Sequence, residues 1–427
     1  MIFLYNILFP LAFVFFLPGM IFKLIRRPGY KSTFPERFAV FSARKKKRLK
    51  EFEGAVWVHS VSVGETVAAL SFIRKYSASV PGQKFVISTT TTTGQELAQK
   101  NAPDNCAVIF CPLDFIFFVK RVLSLLKPSK LVILETEIWP NLILESKKSG
   151  AEVYMINARM SDKSVRGYLK FRKIIAPIIS VIDKVCVQSQ LDAERFMTVA
   201  PDSRVTVTGN MKFDQVLPES FPSADYGRYF GEGDYKIILA ASTHSGEEKL
   251  AAEVFQKLRN SYPDLKLVLV PRHAERAAEV AEQLRELKLS FVRKTQFSSG
   301  NSEPVDCLLA DTTGEMLMLM NDADIIIMGK TLAGHDEGHN LIEPALLAKP
   351  VVCGRKLSNF RVVFDILKKA DALITVSDGR ELLSALERLL SDPDYAEKLG
   401  SAAYRAITVH KGAIEKNIAQ IKDRPAE

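Results

Sequence analysis

Short apolar runs alternate with longer amphipathic stretches along most of the chain. Runs such as residues 55–59, 84–89 and 131–135 are rich in Val, Ile, Leu and aromatic residues, and helical stretches such as residues 65–76 lie between them. Continuous apolar strands separated by helices are typical of a parallel sheet that helices cover on both faces. The first half of the chain is therefore predicted to be an α/β domain.

The pattern pauses at residues 217–234, which contain two prolines and three glycines, a composition typical of a linker. It then restarts with an apolar run at 235–241. We therefore predict two Rossmann-like domains, at residues 28–217 and 235–427, joined by a linker at 218–234. Ligands of open parallel sheets bind at the carboxyl ends of the strands, so we expect the site in a cleft that the two domains face.

The first 22 residues carry no charge. A helix over this stretch would rise about 33 Å, enough to cross the hydrocarbon core of a bilayer. The basic residues follow the apolar run, beginning with Lys23, Arg26 and Arg27 and continuing through Lys31 to a run at 44–50. This order differs from that of a signal peptide and places the following domains in the cytoplasm. We predict a membrane anchor helix at residues 1–27, although its prolines leave a monotopic anchor open.

Charge and cysteine content narrow the class of protein. A formal net charge of +9 in 427 residues fits an anionic membrane, a phosphorylated substrate or nucleic acid. Because much of the positive charge follows the apolar segment and no nucleic-acid recognition motif accompanies it, we expect a membrane partner and no nucleic acid. The five cysteines include no CxxC pair and are predicted to be buried thiols, and the six histidines form no HExxH motif.

Polar residues follow the predicted strands of the first half. Ser60, Ser62 and Glu65 follow the strand at 55–59, and Glu65 opens a helix whose amino terminus favours an anion. Glu65 is either a helix-capping acid or a general base that takes a proton from an acceptor hydroxyl. Glu135 and Glu137, at the end of the strand 131–135, either position a substrate and tune Glu65 or form a polar strand end. The turn at 89–94 holds a phosphate or is simply capped.

The second half has polar residues at equivalent places. Ser242 and Thr243 follow the strand at 235–241, and Arg272 and His273 follow the strand at 265–270. A loop at 334–344 then enters a helix that carries Glu343. Free amides at a helix start can bind a phosphate, while the carboxylate can accept from ribose hydroxyls.

Eight segments occur in order with ordinary spacing: HSVSVGE, STTTTTG, ETEIWPN, NARMSDKSVRGY, VTVTGNMKFD, LAASTHSGEE, LVLVPRH and GHNLIEPALLAKPVVCG. Together they resemble the landmarks of bacterial 3-deoxy-D-manno-octulosonic acid (Kdo) transferases of lipopolysaccharide synthesis. The resemblance runs from about residue 25 to beyond residue 370. It implies a GT-B fold and an inverting transfer of Kdo from CMP-Kdo to a hydroxyl of the lipid A precursor (lipid IVA). It also implies no metal or other cofactor and a place at the bacterial inner membrane. A GT-B transferase that uses a UDP-sugar and a lipid acceptor is the alternative.

The resemblance also implies roles for single residues. Glu65 is the expected base, supported by Glu137 and Glu135, with Ser60 and Ser62 near the acceptor. The expected donor-binding residues are Lys212, Ser242, Thr243, Arg272, His273, Gly338, His339, Asn340 and Glu343. Family members usually carry glycine where this chain has Glu337, which puts the geometry of the donor loop in question. The apolar and basic segment 115–127 is expected either to lie against the bilayer or to be a core helix.

Overall fold

The computed structural model describes residues 2–26, 34–214, 222–297 and 303–422. These residues form two compact units, the first comprising Met1–Asp214 and Lys411–Glu427 and the second Gln215–His410. The first unit ends close to the predicted boundary at 217. The chain differs from the prediction at its carboxyl end, because residues from Lys411 onward group with the first unit.

The sheet of the first unit has seven parallel strands in the order β3-β2-β1-β4-β5-β6-β7. They are β1 (Val56–Ser60), β2 (Phe85–Thr89), β3 (Cys106–Phe110), β4 (Lys130–Leu134), β5 (Glu152–Ala158), β6 (Lys184–Val187) and β7 (Val205–Val207). Every residue of β1, β2 and β4 is buried, as expected for strands covered on both faces. The predicted parallel α/β architecture of this half is confirmed.

Helices cover both faces of the first sheet. They are α1 (Ile2–Arg26), α2 (Ala43–Lys50), α3 (Val63–Ser79), α4 (Thr92–Asn101), α5 (Ile116–Leu126), α6 (Pro140–Lys148), α7 (Asp162–Lys170), α8 (Arg172–Ser180), α9 (Gln190–Val199) and α18 (Ala413–Ile421), with 3-10 turns at Phe34–Phe38 and Met211–Asp214. Helices α5, α6, α8 and α9 bury side chains in one apolar cluster, and α3, α4 and α18 in the other. Helix α18 joins this unit because its apolar stripe, including Ile414, Ile418 and Ile421, packs beside the buried face of α3.

Segment 115–127 is a core helix on one side. Val119, Val122 and Leu126 recur at helical spacing and are fully buried in α5, whereas Phe117 is 63% exposed. One face therefore packs on the sheet and leaves an aromatic ring outside. The five cysteines are free and buried, which confirms the prediction for them.

The second unit repeats the architecture with a sheet in the order β10-β11-β9-β8-β12-β13-β14. Its strands are β8 (Ile237–Thr243), β9 (Lys266–Pro271), β10 (Phe291–Arg293), β11 (Cys307–Leu309), β12 (Ile325–Met328), β13 (Val351–Gly354) and β14 (Ile374–Val376). Its helices are α10 (Gly227–Phe230), α11 (Glu247–Arg259), α12 (Ala277–Glu286), α13 (Met316–Asn321), α14 (Ile342–Leu346), α15 (Arg361–Lys369), α16 (Gly379–Ser391) and α17 (Pro393–Thr408), with 3-10 turns at Ala274–Arg276 and Lys294–Gln296. All strand pairs in this sheet are parallel.

Part of the predicted linker is packed into the second unit. Residues 218–221 of the linker lie outside the described residues. Further along, Tyr226, Tyr229 and Phe230 are buried, and the Tyr226 hydroxyl donates to the Leu319 carbonyl at 2.9 Å. The aromatic side chains of this segment, rather than its glycines, therefore decide its structure.

The predicted membrane-spanning anchor is not supported. No helix in the described ranges is both long enough and apolar enough to cross a membrane. Residues 1 and 27 of the predicted anchor, and the basic side chains Lys23, Arg26, Arg27 and Lys31, lie outside what the structure describes. The described part of α1 instead rests on the first unit, where Phe9 and Phe13 pack edge-on against Phe115 with ring centroids 5.1 and 5.3 Å away.

Candidate active site

The first sheet reverses its strand order between β1 and β4. The chain leaves β1 toward β2 on one side and returns to β4 on the other. In open parallel sheets such a reversal leaves a crevice at the carboxyl ends of the two strands. The connections that follow β1 and β4 begin at this crevice. The first leads into α3, which carries Glu65 in its first turn, and the second is a loop that carries Glu135 and Glu137.

Glu65 closes a capping box at the start of α3. The Ser62 hydroxyl accepts from the Glu65 N–H at 3.3 Å, and the Glu65 carboxylate accepts from Ser62 Oγ at 2.7 Å and from the Val61 N–H at 2.8 Å. The residue is 8% exposed. The helix-capping interpretation of Glu65 is therefore realised, and the same bonds fix the orientation of its carboxylate.

Glu137 lies half-buried close enough to Glu65 for their charges to interact. Burial, reinforced by the negative charge of Glu65, raises the pKa of Glu137 to about 7. A carboxyl group with a pKa near neutrality suits general acid–base chemistry. The site thus holds two carboxyl groups whose surroundings differ strongly, which is how enzymes divide acid and base roles.

Glu135 occupies the left-handed backbone region, with φ 55°. Its carboxylate pairs with Arg159 Nε at 3.2 Å and with Lys212 Nζ at 3.8 Å. Strained backbone of this kind is found often at ligand sites. Lys212, which the resemblance assigns to the donor, therefore lies beside a carboxylate of the first unit.

The remaining predicted residues of the first unit have structural partners. Ser60 is fully buried, and its hydroxyl lies 3.2 Å from the Thr66 hydroxyl. In the threonine-rich turn, the Thr91 hydroxyl accepts from the Gly94 N–H at 3.2 Å and caps α4. The capped-turn interpretation of residues 89–94 therefore describes this structure.

The second sheet has its own reversal of strand order, between β8 and β12. Ser242 and Thr243 end β8, and Gly329 follows β12 at close range. A Cβ atom on Gly329 would lie 2.3 Å from the Ser242 carbonyl oxygen, so only glycine allows the two loops to approach this closely. Ser242 and Lys330 both have positive φ, of 54° and 60°. The close approach of Gly329 and these left-handed residues thus constrain the backbone both at the end of β8 and after β12.

Glu247, which the sequence interpretation did not include, joins these two loops. Its buried carboxylate accepts from the His244 N–H at 2.8 Å and from the N–H groups of Lys330, Thr331 and Leu332 at 2.7–2.8 Å. Four backbone donors saturate the carboxylate. Glu247 therefore fixes the loop after β12 to the start of α11.

Four of the six histidines meet in the second unit. The ring of His244 lies 5.3–5.9 Å from the rings of His273, His335 and His339, and its Nε2 is 3.1 Å from His339 Nε2. Burial, together with Arg272 and the other cations nearby, lowers the pKa of His339 to about 4. One ring of the pair therefore donates and the other accepts. Among the described residues, no group of His, Cys, Asp and Glu is arranged to hold a metal ion.

The loop that enters α14 is held by its own polar side chains. Asn340 Nδ2 donates to Glu343 Oε1 at 3.0 Å, and Asn340 Oδ1 accepts from the Ile342 N–H at the same distance. Burial raises the pKa of Glu343. Gly338 has φ 73°, and a Cβ atom there would lie 2.5 Å from Leu357.

Glu337 has an ionic partner. Its carboxylate lies 3.1 Å from Lys330 Nζ, and the Gly338 N–H donates to the Lys330 carbonyl at 2.7 Å. The acid that departs from the family pattern is therefore paired with a cation of the adjacent loop. Arg272 is exposed, and its backbone N–H donates to the Thr243 carbonyl at 3.0 Å. This bond joins the loop after β9 to the end of β8.

The sequence did not single out Glu247. His244 and His335 lie in the segments 239–248 and 334–344 that the sequence did single out, but their contact with each other and with the loop of Lys330 was not predicted. Glu247 follows Gly246 at a helix start, which was the one local signal available. Three of the four groups that donate to Glu247 lie 83–85 residues away, and His339 is 95 residues from His244. These contacts arise from strand order, and local patterns do not contain that information.

A family model and a sequence relative give the same family. A family model described as 3-deoxy-D-manno-octulosonic-acid transferase (kdotransferase) matches residues 32–215. The chain is 30% identical over 401 residues to the 3-deoxy-D-manno-octulosonic acid transferase of Haemophilus influenzae, which covers 93% of this chain and 92% of that protein.

Two solved structures resemble this chain at low identity. One is a glycosyltransferase from Rickettsia africae, with 14% identity, coverage of 86% of this chain and 97% of the other, and a TM-score of 0.56. The other is the UDP-GlcNAc 2-epimerase of Neisseria meningitidis bound to UDP-GlcNAc, with 15% identity, coverage of 86% and 99%, and a TM-score of 0.56. They establish the fold alone, which is two parallel-sheet α/β domains that resemble GT-B glycosyltransferases.

Proposed function

The chain belongs to the 3-deoxy-D-manno-octulosonic acid transferase family, and we propose that it transfers Kdo from CMP-Kdo to a hydroxyl of the lipid A precursor, lipid IVA. It is a glycosyltransferase of lipopolysaccharide synthesis. The observation that carries the catalytic assignment is the pair of carboxyl groups at the reversal of the first sheet, where Glu65 is oriented by a capping box and Glu137 has a pKa of about 7.

Glu65 is the proposed general base. The acceptor hydroxyl gives its proton to the Glu65 carboxylate as its oxygen attacks the anomeric carbon of Kdo, and the bond to the CMP phosphate breaks with both electrons leaving on the phosphate. A base that its capping box already orients needs little reorganisation during the reaction. Glu137 supports this step as a neighbouring carboxyl that titrates near neutrality, and Glu135 holds Arg159 in place beside the loop. Ser62 acts on the acceptor indirectly, because its hydroxyl donates to the Glu65 carboxylate and helps to orient it.

The second unit is the proposed donor half. CMP-Kdo carries a phosphate and a carboxylate, and Arg272 and Lys330 offer cations to them at the reversal of the second sheet. Ser242, Thr243 and the histidine cluster offer neutral donors, while Asn340 and Glu343 suit ribose hydroxyls. Lys212 is the proposed cation from the first unit.

We propose that this transfer needs no metal ion, because the donor loops already supply the positive charge that a phosphate leaving group requires. Adding a chelator to the purified enzyme should leave the rate of Kdo transfer unchanged. A rate that falls with chelator and recovers with a divalent cation would contradict this proposal.

A membrane association is proposed for helix α1. Phe3, Ile7, Leu11 and Phe15 recur every fourth residue and are 45–85% exposed, so they form one apolar stripe on the outside of the molecule. The 63% exposed ring of Phe117 on α5 adds to it. The stripe suits a helix that lies in the interface of the cytoplasmic face of the inner membrane, with the basic α2 attracted to anionic lipid. Flotation with anionic vesicles tests this, and serine at positions 3 and 11 should weaken it.

The function is tested by incubating the enzyme with CMP-Kdo and lipid IVA and measuring the mass of the lipid product. We expect the mass of at least one added Kdo, inhibition by CMP, and no inhibition by UDP at the same concentration. Transfer from a UDP-sugar in place of CMP-Kdo would point to a different GT-B transferase. Glu65→Gln should abolish most of the turnover, and a fully active variant would contradict its assignment as base.

A further inference from the structure

Helix α1 is almost wholly apolar, yet two of its polar side chains reach the first unit. The Tyr5 hydroxyl donates to Asp114 Oδ2 at 2.8 Å, and Asn6 Oδ1 accepts from Asn141 Nδ2 at 2.7 Å. Polar groups on an apolar surface are unfavourable unless they are paired, so these bonds fix where the helix docks. The apolar stripe of Phe3, Ile7, Leu11 and Phe15 stays exposed while the helix is docked in this way.

Asp114 accepts hydrogen bonds from the start of α6 as well as from Tyr5 of α1. It is 2% exposed, and its carboxylate accepts from the N–H of Asn141 at 3.0 Å and of Leu142 at 2.8 Å. These are unsatisfied first-turn amides of a helix that has no side-chain cap of its own, since it begins Trp139-Pro140. Asp114 therefore replaces the missing cap from another segment of the chain.

Helix α6 begins directly after the loop that carries the catalytic carboxyl groups. This loop, residues 135–139, connects the end of β4 to Pro140 and contains Glu135 and Glu137. With only five residues between strand and helix, the position of the helix start sets the path of the loop. Whatever holds the amino terminus of α6 thus also holds Glu137.

We propose that Asp114 is a positioning residue for Glu135 and Glu137, and that α1 supports the catalytic loop when it docks through Tyr5 on Asp114 and Asn6 on Asn141. This inference rests on the proposed function for its kinetic readout. The membrane-facing helix is then a part of the active-site support and does more than tether the enzyme. The double variant Tyr5→Phe with Asn6→Ala removes both bonds and leaves the exposed stripe intact.

The experiment compares this double variant with wild type and two controls in the full-length enzyme with vesicles of phosphatidylethanolamine and phosphatidylglycerol. Tyr404→Phe alters an exposed tyrosine of the second unit, and Leu191→Ala alters an exposed leucine of the first unit outside the stripe and the catalytic loop. We expect the double variant to lose about tenfold in kcat with an unchanged KM for CMP-Kdo, as for an interaction that serves the catalytic step. We also expect faster amide exchange at residues 135–142 and the same binding to vesicles. Both controls should keep the wild-type kcat and exchange.

The proposal is overturned if the double variant has wild-type kcat and wild-type exchange at residues 135–142. It is also overturned if kcat falls only in proportion to lost vesicle binding, since α1 would then be a tether. If wild type transfers no Kdo, the proposed function fails. The exchange measurement still tests whether docking of α1 through Tyr5 and Asn6 holds residues 135–142. Asp114→Asn provides a second variant, and it should accelerate the same amides with the fold intact by circular dichroism.

Discussion

Glu137→Gln should stabilise the first unit at alkaline pH and leave it almost unchanged in acid. Burial, with the charge of Glu65, raises the pKa of this carboxyl from 4.5 to about 7 in the folded protein. A group whose folded pKa is raised contributes stability that is fully present below its unfolded pKa and is lost as the pH rises through its folded pKa. Glutamine does not titrate, so the variant escapes that loss between pH 4.5 and about 7.

The magnitude follows from the shift and from the exposure of the side chain. A change from 4.5 to about 7 corresponds to about 3.5 kcal/mol for a fully buried group, at about 1.4 kcal/mol per pKa unit. Glu137 is only half-buried, and screening by solvent reduces the figure to about 1–2 kcal/mol. The free energy of unfolding of the variant, relative to wild type, should rise by that amount from pH 5 to pH 8.

Both tryptophans of the chain, Trp57 and Trp139, lie in the first unit, so their fluorescence reports its unfolding in the full-length protein. Urea titrations at pH 5 and pH 8 give the free energies for wild type, Glu137→Gln and the control Glu96→Gln, which alters an exposed glutamate. The control should show no pH-dependent difference. A difference for Glu137→Gln that is constant with pH, or that favours wild type at pH 8, would refute the reasoning.

Three further variants test the site. Glu65→Gln keeps the capping box, so the protein should fold by circular dichroism while kcat falls about a hundredfold or more, and full activity would contradict its role as base. Glu247→Gln places an amide among four N–H donors, so the KM for CMP-Kdo should rise about tenfold, with the exposed Glu282→Gln as control. Binding of CMP should tighten as the pH falls from 7 to 5, because an anion raises the lowered pKa of His339. Calorimetry in two buffers should then show proton uptake, which His339→Asn removes.

The local patterns of the chain were enough to predict two parallel sheets and most of their central strands, but β3, β7, β10, β11 and β14 were not predicted. Apolar runs separated by helical stretches predicted the parallel sheets. Glu65 lies in the first turn of α3, and Glu137 and Arg272 lie in the loops after β4 and β9, so all three are at carboxyl ends of strands, while their roles stay predictions. The order of the strands was not available from such patterns. The reversals between β1 and β4 and between β8 and β12 determine which loops become neighbours. The second reversal places Glu247 and His244 beside the loop after β12.

The two ends of the chain differ most from the prediction, and for related reasons. An apolar run at the amino terminus was interpreted by its length and hydropathy, whereas the contacts of Tyr5 and Asn6 decide its placement on the first unit. At the carboxyl end, the predicted second domain continued to residue 427, whereas residues from Lys411 onward group with the first unit. Asp214 accepts from the N–H groups of Gly412 and Ile414 at 2.5 Å, which secures α18 to the first unit.

Capping and catalysis were alternative interpretations of Glu65, but the structure makes them compatible. A free glutamate has three rotatable bonds, and the capping box removes that freedom before any substrate binds. For Glu137, burial is the main cause of the raised pKa, and the negative charge of Glu65 adds to it. The two glutamates at this sheet edge therefore have different surroundings. Amides at the start of a helix orient the carboxylate of Glu65, whereas Glu137 is partly buried beside the charge of Glu65. The proposed mechanism uses this difference, since Glu65 would be held in place to accept a proton while Glu137 would adjust its own protonation to the change in charge.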